Sequence, residues 1–481
     1  VTAAKGAYPR DLVGYGKRPP HARWPRDARI AVQFVINYEE GGENCILHGD
    51  AASEAFLSEI VGAQAWPGQR HMNMESIYEY GSRAGFWRLY RMFTEREMPV
   101  TVFGVASAMA RHPEAVQAMA EAGWEIATHG LKWIDYRDFT PEDEARHIAE
   151  AIRIQQDLTG TRPLGMYQGR TSAETLRLTM TEGGFLYSAD SYADELPYWV
   201  SGPNGRGGEG PFLIVPYTLD ANDMRFATPQ GFNSGDQFFS YLKDSFDLLY
   251  EEGAIAPKMM SIGLHCRLVG RPGRAAALAR FLDYVQSHEN VWVATRLDIA
   301  RHWVAAHPPA GGWKPSGLSK PLFMARFGSV FEHSPWVAEA TFADGLDPLC
   351  DTVDGLHAAM VRAMRADTRQ QQESLIKAHP DLAGRLALAG ALTAESTKEQ
   401  ASAGLDHLTP AEHAAFTALN KAYLDQFGFP FIMAVKGQDL IAIRAAFEQR
   451  LEQDSSTEFE TALREIEKIA RFRLADILES R

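Results

Sequence analysis

Ile30-Ala-Val-Gln-Phe-Val-Ile36 runs without a break into Asn37-Tyr38-Glu39-Glu40-Gly41. A run with one polar residue among seven reads as a strand buried on both faces, as in a parallel sheet covered by helices. Similar apolar runs recur at 100–105, 125–128, 213–216, 259–264 and 291–294. Helical periodicity fills 82–97, 113–122 and 141–158. Strands alternating with helices predict a mainly parallel α/β sheet, open or closed as a barrel. Such folds place their chemistry at the carboxyl ends of the strands. Glu39 and Glu40 are therefore the first candidate site residues.

The texture changes at His307-Pro-Pro-Ala-Gly-Gly-Trp-Lys-Pro-Ser-Gly317, a linker by composition. Beyond it, apolar residues recur at i, i+3, i+4 spacing over Val353–Ala366, Pro410–Phe427 and 458–478, which predicts an all-α domain. The expected organisation is a domain at 1–307, a linker at 308–319 and a second domain at 320–481. The 481 residues carry a net charge of -14. From Lys320 onward, 17 Lys+Arg against 24 Asp+Glu give -7, half of the total. An acid balance shared so evenly argues against nucleic-acid binding, which needs basic stripes. No run of roughly 18 apolar residues is present, so no membrane span is expected. VTAAKGAYPR has no apolar core, so no signal peptide is expected either. Cys45, Cys266 and Cys350 are too scattered for a disulfide scaffold or a Cys-based zinc site. The C-terminal Glu-Ser-Arg differs from the peroxisomal Ser-Lys-Leu address, which leaves the cytoplasm as the expected location.

Four polar clusters stand at predicted strand ends. In Tyr38-Glu39-Glu40-Gly41, adjacent carboxylates push one pKa up, which suits proton transfer near neutral pH; the alternative is a solvated turn. In Thr128-His129-Gly130-Leu131-Lys132-Trp133, His129 could be a ligand, an acid/base or a satisfied core residue. In Tyr167-Gln168-Gly169-Arg170, the guanidinium fork suits a carboxylate or a polar amide. The fourth is Gly263-Leu264-His265-Cys266-Arg267, leading to Gly270-Arg-Pro-Gly-Arg274. A further run, Asp190-Ser-Tyr-Ala-Asp-Glu-Leu-Pro-Tyr-Trp199, could rim a pocket or be an ordinary loop.

Together these clusters resemble the polysaccharide deacetylase superfamily over about 25–300, which implies a distorted (β/α) barrel. Tyr38-Glu39-Glu40-Gly41 stands where that family has Phe-Asp-Asp-Gly. His129 matches its first metal-binding His, Trp133 stands where the second should be, and Leu264-His265 matches the late motif. An indole offers only an N–H and no lone pair. Glu40 and His129 alone fall short of the three protein ligands usual for catalytic zinc, so no metal is expected. This substitution pattern is similar to that of the PuuE-type allantoinases, which implies opening of the hydantoin ring of allantoin without a required metal. On that resemblance Glu39 or Glu40 takes the proton of water, and His129 or His265 serves the leaving nitrogen or the oxyanion. Arg170, Tyr167 and Trp133 then meet the substrate, with Trp133 filling the vacated metal space and packing on the planar ring.

In the second domain, Lys377-Ala-His379-Pro380-Asp-Leu382 places a His before Pro, hence at a helix end or turn. Ser396-Thr397-Lys398-Glu399-Gln400 reads equally as a capping box. Phe429-Pro430-Phe431-Ile432-Met433-Ala434-Val435 reads equally as plain core. With the late Lys468-Ile-Ala-Arg-Phe-Arg473 helix, these motifs resemble the 2-oxo-4-hydroxy-4-carboxy-5-ureidoimidazoline (OHCU) decarboxylases, which are all-α and cofactor-free. That resemblance implies catalytic His379 and Glu399. It implies substrate contacts from Pro380, Ser396, Thr397, Lys398, Gln400, Phe431, Ile432, Met433, Ala434, Val435 and Arg473. Arg471 stands two residues away on the same predicted helix.

The two resemblances imply consecutive steps. One domain makes (S)-allantoin and the other converts allantoin to allantoate, with no cofactor, small ureides as the only ligands, and assembly into a homo-oligomer. Two alternatives stay open: a metal-dependent deacetylase or amidohydrolase in the first domain, or one domain that only binds or assembles.

Overall fold

The computed structural model describes residues 10–380, 382 and 408–479. The chain parts into two compact units, Val1–His307 and Pro308–Arg481.

Nine strands form the sheet of the first unit: β1 (Ile30–Tyr38), β2 (Thr101–Gly104), β3 (Glu125–Thr128), β4 (Gly165–Met166), β5 (Tyr187–Ser188), β6 (Tyr198–Pro203), β7 (Glu209–Ile214), β8 (Lys258–His265) and β9 (Val291–Val293). Their order is β6-β7-β5-β4-β3-β2-β1-β8, with β9 also on β1. All pairings are parallel apart from the β6–β7 hairpin. β1 is the hub. One of its edges carries β8 along Ile30 to Asn37, and the other is divided between β9 at Ile30 to Val32 and β2 at Val35 to Tyr38. All nine β1 residues are buried, as a central parallel strand requires. Beyond β7 the chain makes an isolated parallel bridge, Asn222 with Gly263 of β8, so the circuit of strands closes through one bridge. The result is a distorted barrel.

A buried arginine ties the closure together. Arg296 donates to Gln33 Oε1 at 2.7 Å, to Ser261 Oγ at 3.0 Å and to the Pro216 carbonyl at 2.8 Å, and also bonds the Val215 carbonyl. It thereby joins β1, β8 and the segment after β7, and satisfies carbonyls that the short strands leave open.

One helical run lies against the chamber described below. It comprises the helix Met72–Tyr80, a π-helical turn Gly81–Gly85 and the helix Phe86–Thr94. Both turn glycines are required by close approach. A Cβ at Gly81 would overlap the Glu40 carboxylate, and one at Gly85 would overlap the Cys266 carbonyl.

The described part of the second unit is helical and contains no strand. In the helix Val353–Ala366, Leu356, Ala359, Met360, Ala363 and Met364 are buried, one apolar stripe at i, i+3, i+4 spacing. The stretch read as a linker falls in this unit, where Ser316 donates to Asp351 through both N–H and hydroxyl, each at 2.8 Å. Among the described residues of the chain, no helix is long and apolar enough to cross a membrane.

Candidate active sites

Strand register decides which side chains meet. Asn37 of β1 lies opposite His265 of β8, Tyr38 opposite Gly104, Gly104 opposite Thr128, and Thr128 opposite Met166. The residues that follow, Glu39, His129 and Tyr167, leave the sheet at one end, beside His265. Glu39 is 1% exposed, and both histidines are buried with it. Glu39 Oε1 lies 3.3 Å from His129 Nε2 and 3.4 Å from His265 Nε2. Glu39 Oε2 lies 2.7 Å from the Arg267 guanidinium. Burial pushes the Glu39 carboxyl up, but Arg267, His265 and the imidazole contacts outweigh it and hold the group well below the usual carboxylate range.

His265 is oriented by Asp223. Its Nδ1 donates to Oδ1 at 2.6 Å and its backbone N–H donates to Oδ2 at 2.7 Å. Burial pulls the imidazole pKa down, while Glu39 and Asp223 raise it, to about 9. His265 is thus an imidazolium at neutral pH. His129 is fixed by its backbone N–H to the Gly104 carbonyl and by the rings of Phe103 and Tyr167. Among the described residues its buried Nδ1 has no hydrogen-bond partner.

Glu40 keeps different company from the His129 pairing expected of it. Its Oε1 accepts from the Arg267 backbone N–H at 3.1 Å and from the guanidinium at 3.4 Å, and its Oε2 accepts from the Glu39 N–H at 3.2 Å. Burial raises its carboxyl. Glu43, which accepts from the Gly41 N–H at 2.6 Å, is raised by burial to about 7.

Trp133 is held by its backbone N–H to the Gly42 carbonyl at 2.8 Å and by a stacked Phe56. Two guanidinium groups lie over its ring, Arg170 at 3.9 Å and Arg267 at 5.0 Å. Arg170 is engaged already, with Glu54 at 3.3 Å and the Trp133 carbonyl at 3.4 Å. Tyr167 stacks on Phe103 and shares a hydrogen bond with Tyr192. Asp190 accepts from the Gln168 and Gly169 N–H groups, and burial raises it to about 6.

In the second unit, His379 closes the helix Arg369–Ala378 and is buried, with half-buried Pro380 after it. Its Nδ1 meets the Leu375 carbonyl at 2.9 Å. A carbonyl can only accept, so Nδ1 carries the proton and Nε2 the lone pair. Burial pushes this imidazole down to about 4, against the opposing pull of the Leu375 carbonyl and Glu332. Buried Arg473 pairs with buried Glu332 at 2.8 Å. Arg471 instead lies at the surface and pairs with Asp354 at 2.8 Å. Phe431, Ile432, Ala434 and Val435 are buried and Met433 is half-buried in an irregular segment. That segment is pinned by Arg450 Nη1 to the Ile432 carbonyl at 2.6 Å, with Phe431 stacked on Phe447 at 3.6 Å between ring centroids. Ser396, Thr397, Lys398, Glu399 and Gln400 lie outside the described residues.

Sequence reasoning missed Asp223, Glu43 and Glu332 altogether. It quoted Arg267 and Asp190 within their segments without giving either a role. Asp223 is 42 residues from its partner His265, at the start of a short 3-10 helix, Asp223–Ala227, with no motif of its own.

The two units have the architecture of a fused pair of enzymes: an α/β barrel with a buried carboxylate–imidazole cluster, and a helical unit with a buried neutral histidine. The polysaccharide deacetylase family model matches residues 73–178, and the OHCU decarboxylase model matches residues 316–475. The "Putative polysaccharide deacetylase" of Schizosaccharomyces pombe is 43% identical over 314 residues, spanning 62% of this chain and 98% of that protein. The crystal structure of PuuE allantoinase is 60% identical with a TM-score of 0.61, spanning 63% of this chain and 99% of that one. The OHCU decarboxylase of Halalkalicoccus jeotgali is 44% identical over 158 residues, spanning 33% of this chain and 86% of that protein. The chain belongs to the polysaccharide deacetylase family through its first unit and to the OHCU decarboxylase family through its second.

The deacetylase resemblance implies a divalent ion, and the residues present do not fit one. Trp133 has no lone pair, and Glu40 faces a guanidinium.

Proposed function

We propose that the second unit decarboxylates OHCU to (S)-allantoin and that the first hydrolyses allantoin to allantoate, with no step that needs a metal. The observation that carries the hydrolytic half is the single Glu39 oxygen faced by two imidazoles at 3.3 and 3.4 Å. Those separations are slightly loose for hydrogen bonds and suit groups that tighten around a reacting water and amide. Glu39 takes the proton of the attacking water. Arg267 and His265 keep it ionised, so the carboxylate is open to accept that proton. His265, charged and aligned by Asp223, stabilises the tetrahedral oxyanion or protonates the departing ring nitrogen, with His129 as the second donor. Tyr167 and Trp133 wall the planar ring, and Arg170, braced by Glu54, meets the ureido group.

In the decarboxylation, loss of CO2 leaves an electron pair that the ring imine and carbonyl delocalise. A proton delivered to one face then gives one enantiomer. His379 suits this step because burial keeps it neutral and its Nε2 lone pair is free of the Leu375 bond. Glu399 is its assigned partner through the sequence motif. Arg473 meets the carboxylate or ureido group, and Pro380, the 396–400 motif and the 431–435 segment line the substrate. The observation favouring Arg473 over Arg471 is its burial against Glu332. Small ureides are the ligands, and a homo-oligomer is the proposed assembly.

Feeding the purified chain OHCU and racemic allantoin in separate reactions tests both halves. Expected are (S)-allantoin that passes on to allantoate in the first reaction and allantoate in the second; no OHCU loss above the uncatalysed rate, or no allantoate from allantoin, rejects the corresponding half.

A further inference from the structure

We infer that the Arg267 guanidinium occupies the place of a bound cation in the barrel chamber, and that Trp133 and Arg267 are two halves of one exchange. Glu39 and Glu40 are consecutive in sequence and only 1% and 3% exposed. Adjacent carboxylates so far from water require a compensating positive charge at contact distance. Arg267 supplies it from a fully buried position, 2.7 Å from Glu39 and 3.4 Å from Glu40. Its placement is built rather than incidental. Nε donates to the Leu57 carbonyl at 2.9 Å, the backbone N–H donates to Glu40, and the guanidinium lies 4.3 Å from the centre of the Tyr78 ring and 5.0 Å from that of Trp133.

The exchange follows from ring chemistry. An imidazole at position 133 would offer a lone pair to an ion. An indole offers no lone pair but an electron-rich face, and a guanidinium is the cation that such a face accepts. Arg170 also lies over Trp133, but Glu54 already neutralises it, so it is not the counter-charge of the chamber. Arg267 contacts no reacting atom in this arrangement. It is a positioning residue that anchors Glu39 Oε2 and so presents Oε1 to His129 and His265. What the anchored carboxylate does rests on the allantoin-opening reading above; the exchange itself does not.

The test uses the full chain in four variants. Zinc uptake from a zinc chloride solution is measured by equilibrium dialysis with elemental analysis, and folding is checked by thermal transition. Trp133→His alone is expected to bind no more zinc than the unsubstituted chain, because the guanidinium remains. The Trp133→His/Arg267→Met double variant is expected to bind one further equivalent. Extra zinc bound by Trp133→His alone, or none by a folded double variant, overturns the inference. Should the double variant not fold, turnover decides. Arg267→Lys should keep kcat for allantoin opening within about tenfold, while Arg267→Met should lose about 100-fold or more in kcat, the scale for misplacing a catalytic group. KM should change little in either, and equal loss in both variants contradicts a role for the charge. If the unsubstituted chain opened no allantoin, the proposed reaction would fall while the uptake result stood.

Discussion

Replacing Glu39 with Gln keeps its shape but removes the charge that Arg267 and His265 surround. We expect Glu39→Gln to lower kcat for allantoin opening by about 10²- to 10⁴-fold, the usual scale for a lost general base. Steady-state kinetics of the folded variant check this, and turnover near that of the unsubstituted chain would remove Glu39 from the mechanism. His379 carries a pH prediction. Its pKa lies near 4 in the fold, against about 6.5 for a free imidazole. Between those values the unfolded chain binds the proton and the folded chain does not. The stability due to His379 is therefore complete above about pH 6.5 and is lost as pH falls through about 4. The transition temperature of the second unit should fall more between pH 7 and pH 5 in the unsubstituted chain than in His379→Gln. Equal shifts would mean that the ring is not held neutral. The same variant should lose enzymatic decarboxylation and keep allantoin hydrolysis. At this scale the sequence showed which residue types stood at strand ends but not which would touch. Glu39 and Glu40 were equivalent as letters. Only register and the course of the chain after β8 bring Oε1 of one to two imidazoles and turn the other toward Arg267.

Elements were legible where burial imposed a pattern. β1 and β8 extend one or two residues beyond their apolar runs, because their last residues, Tyr38 and His265, are buried polar-tipped side chains. The helices Pro113–Glu121 and Pro141–Thr159 match their expected spans to within one residue, each opened by a proline in its first turn. The β6–β7 hairpin went unread because Ser201-Gly-Pro-Asn-Gly-Arg-Gly-Gly-Glu-Gly210 has loop composition, though Ser201 to Pro203 pair antiparallel with Glu209 to Pro211. β4 and β5, two residues each, are too short to show a period. The expected helix at 82–97 opened inside the π-helical turn, because its real start at Met72 has no strong apolar stripe. That turn yields a prediction. Gly81→Ala drives a methyl group into the Glu40 carboxylate. We expect a loss of about 1–3 kcal/mol in the first unit, the typical cost of overpacking. Allantoin hydrolysis should fall with it while decarboxylation is unchanged. An unaltered transition with unaltered hydrolysis would show that the close approach is not needed.

At the scale of the whole chain, the composition break near residue 310 was legible because one unit alternates strands with helices and the other repeats one helical period. The second unit's motif at 396–400 is readable only as sequence, so Glu399 remains assigned by the motif. What joins the two halves into one account is ring opening by side-chain acids, bases and charges alone. The direct measurement is allantoate formation by the purified full chain after exhaustive treatment with a strong chelator, with and without added zinc. The account predicts the same initial rate in all conditions. Activity abolished by chelation and restored by zinc would contradict it.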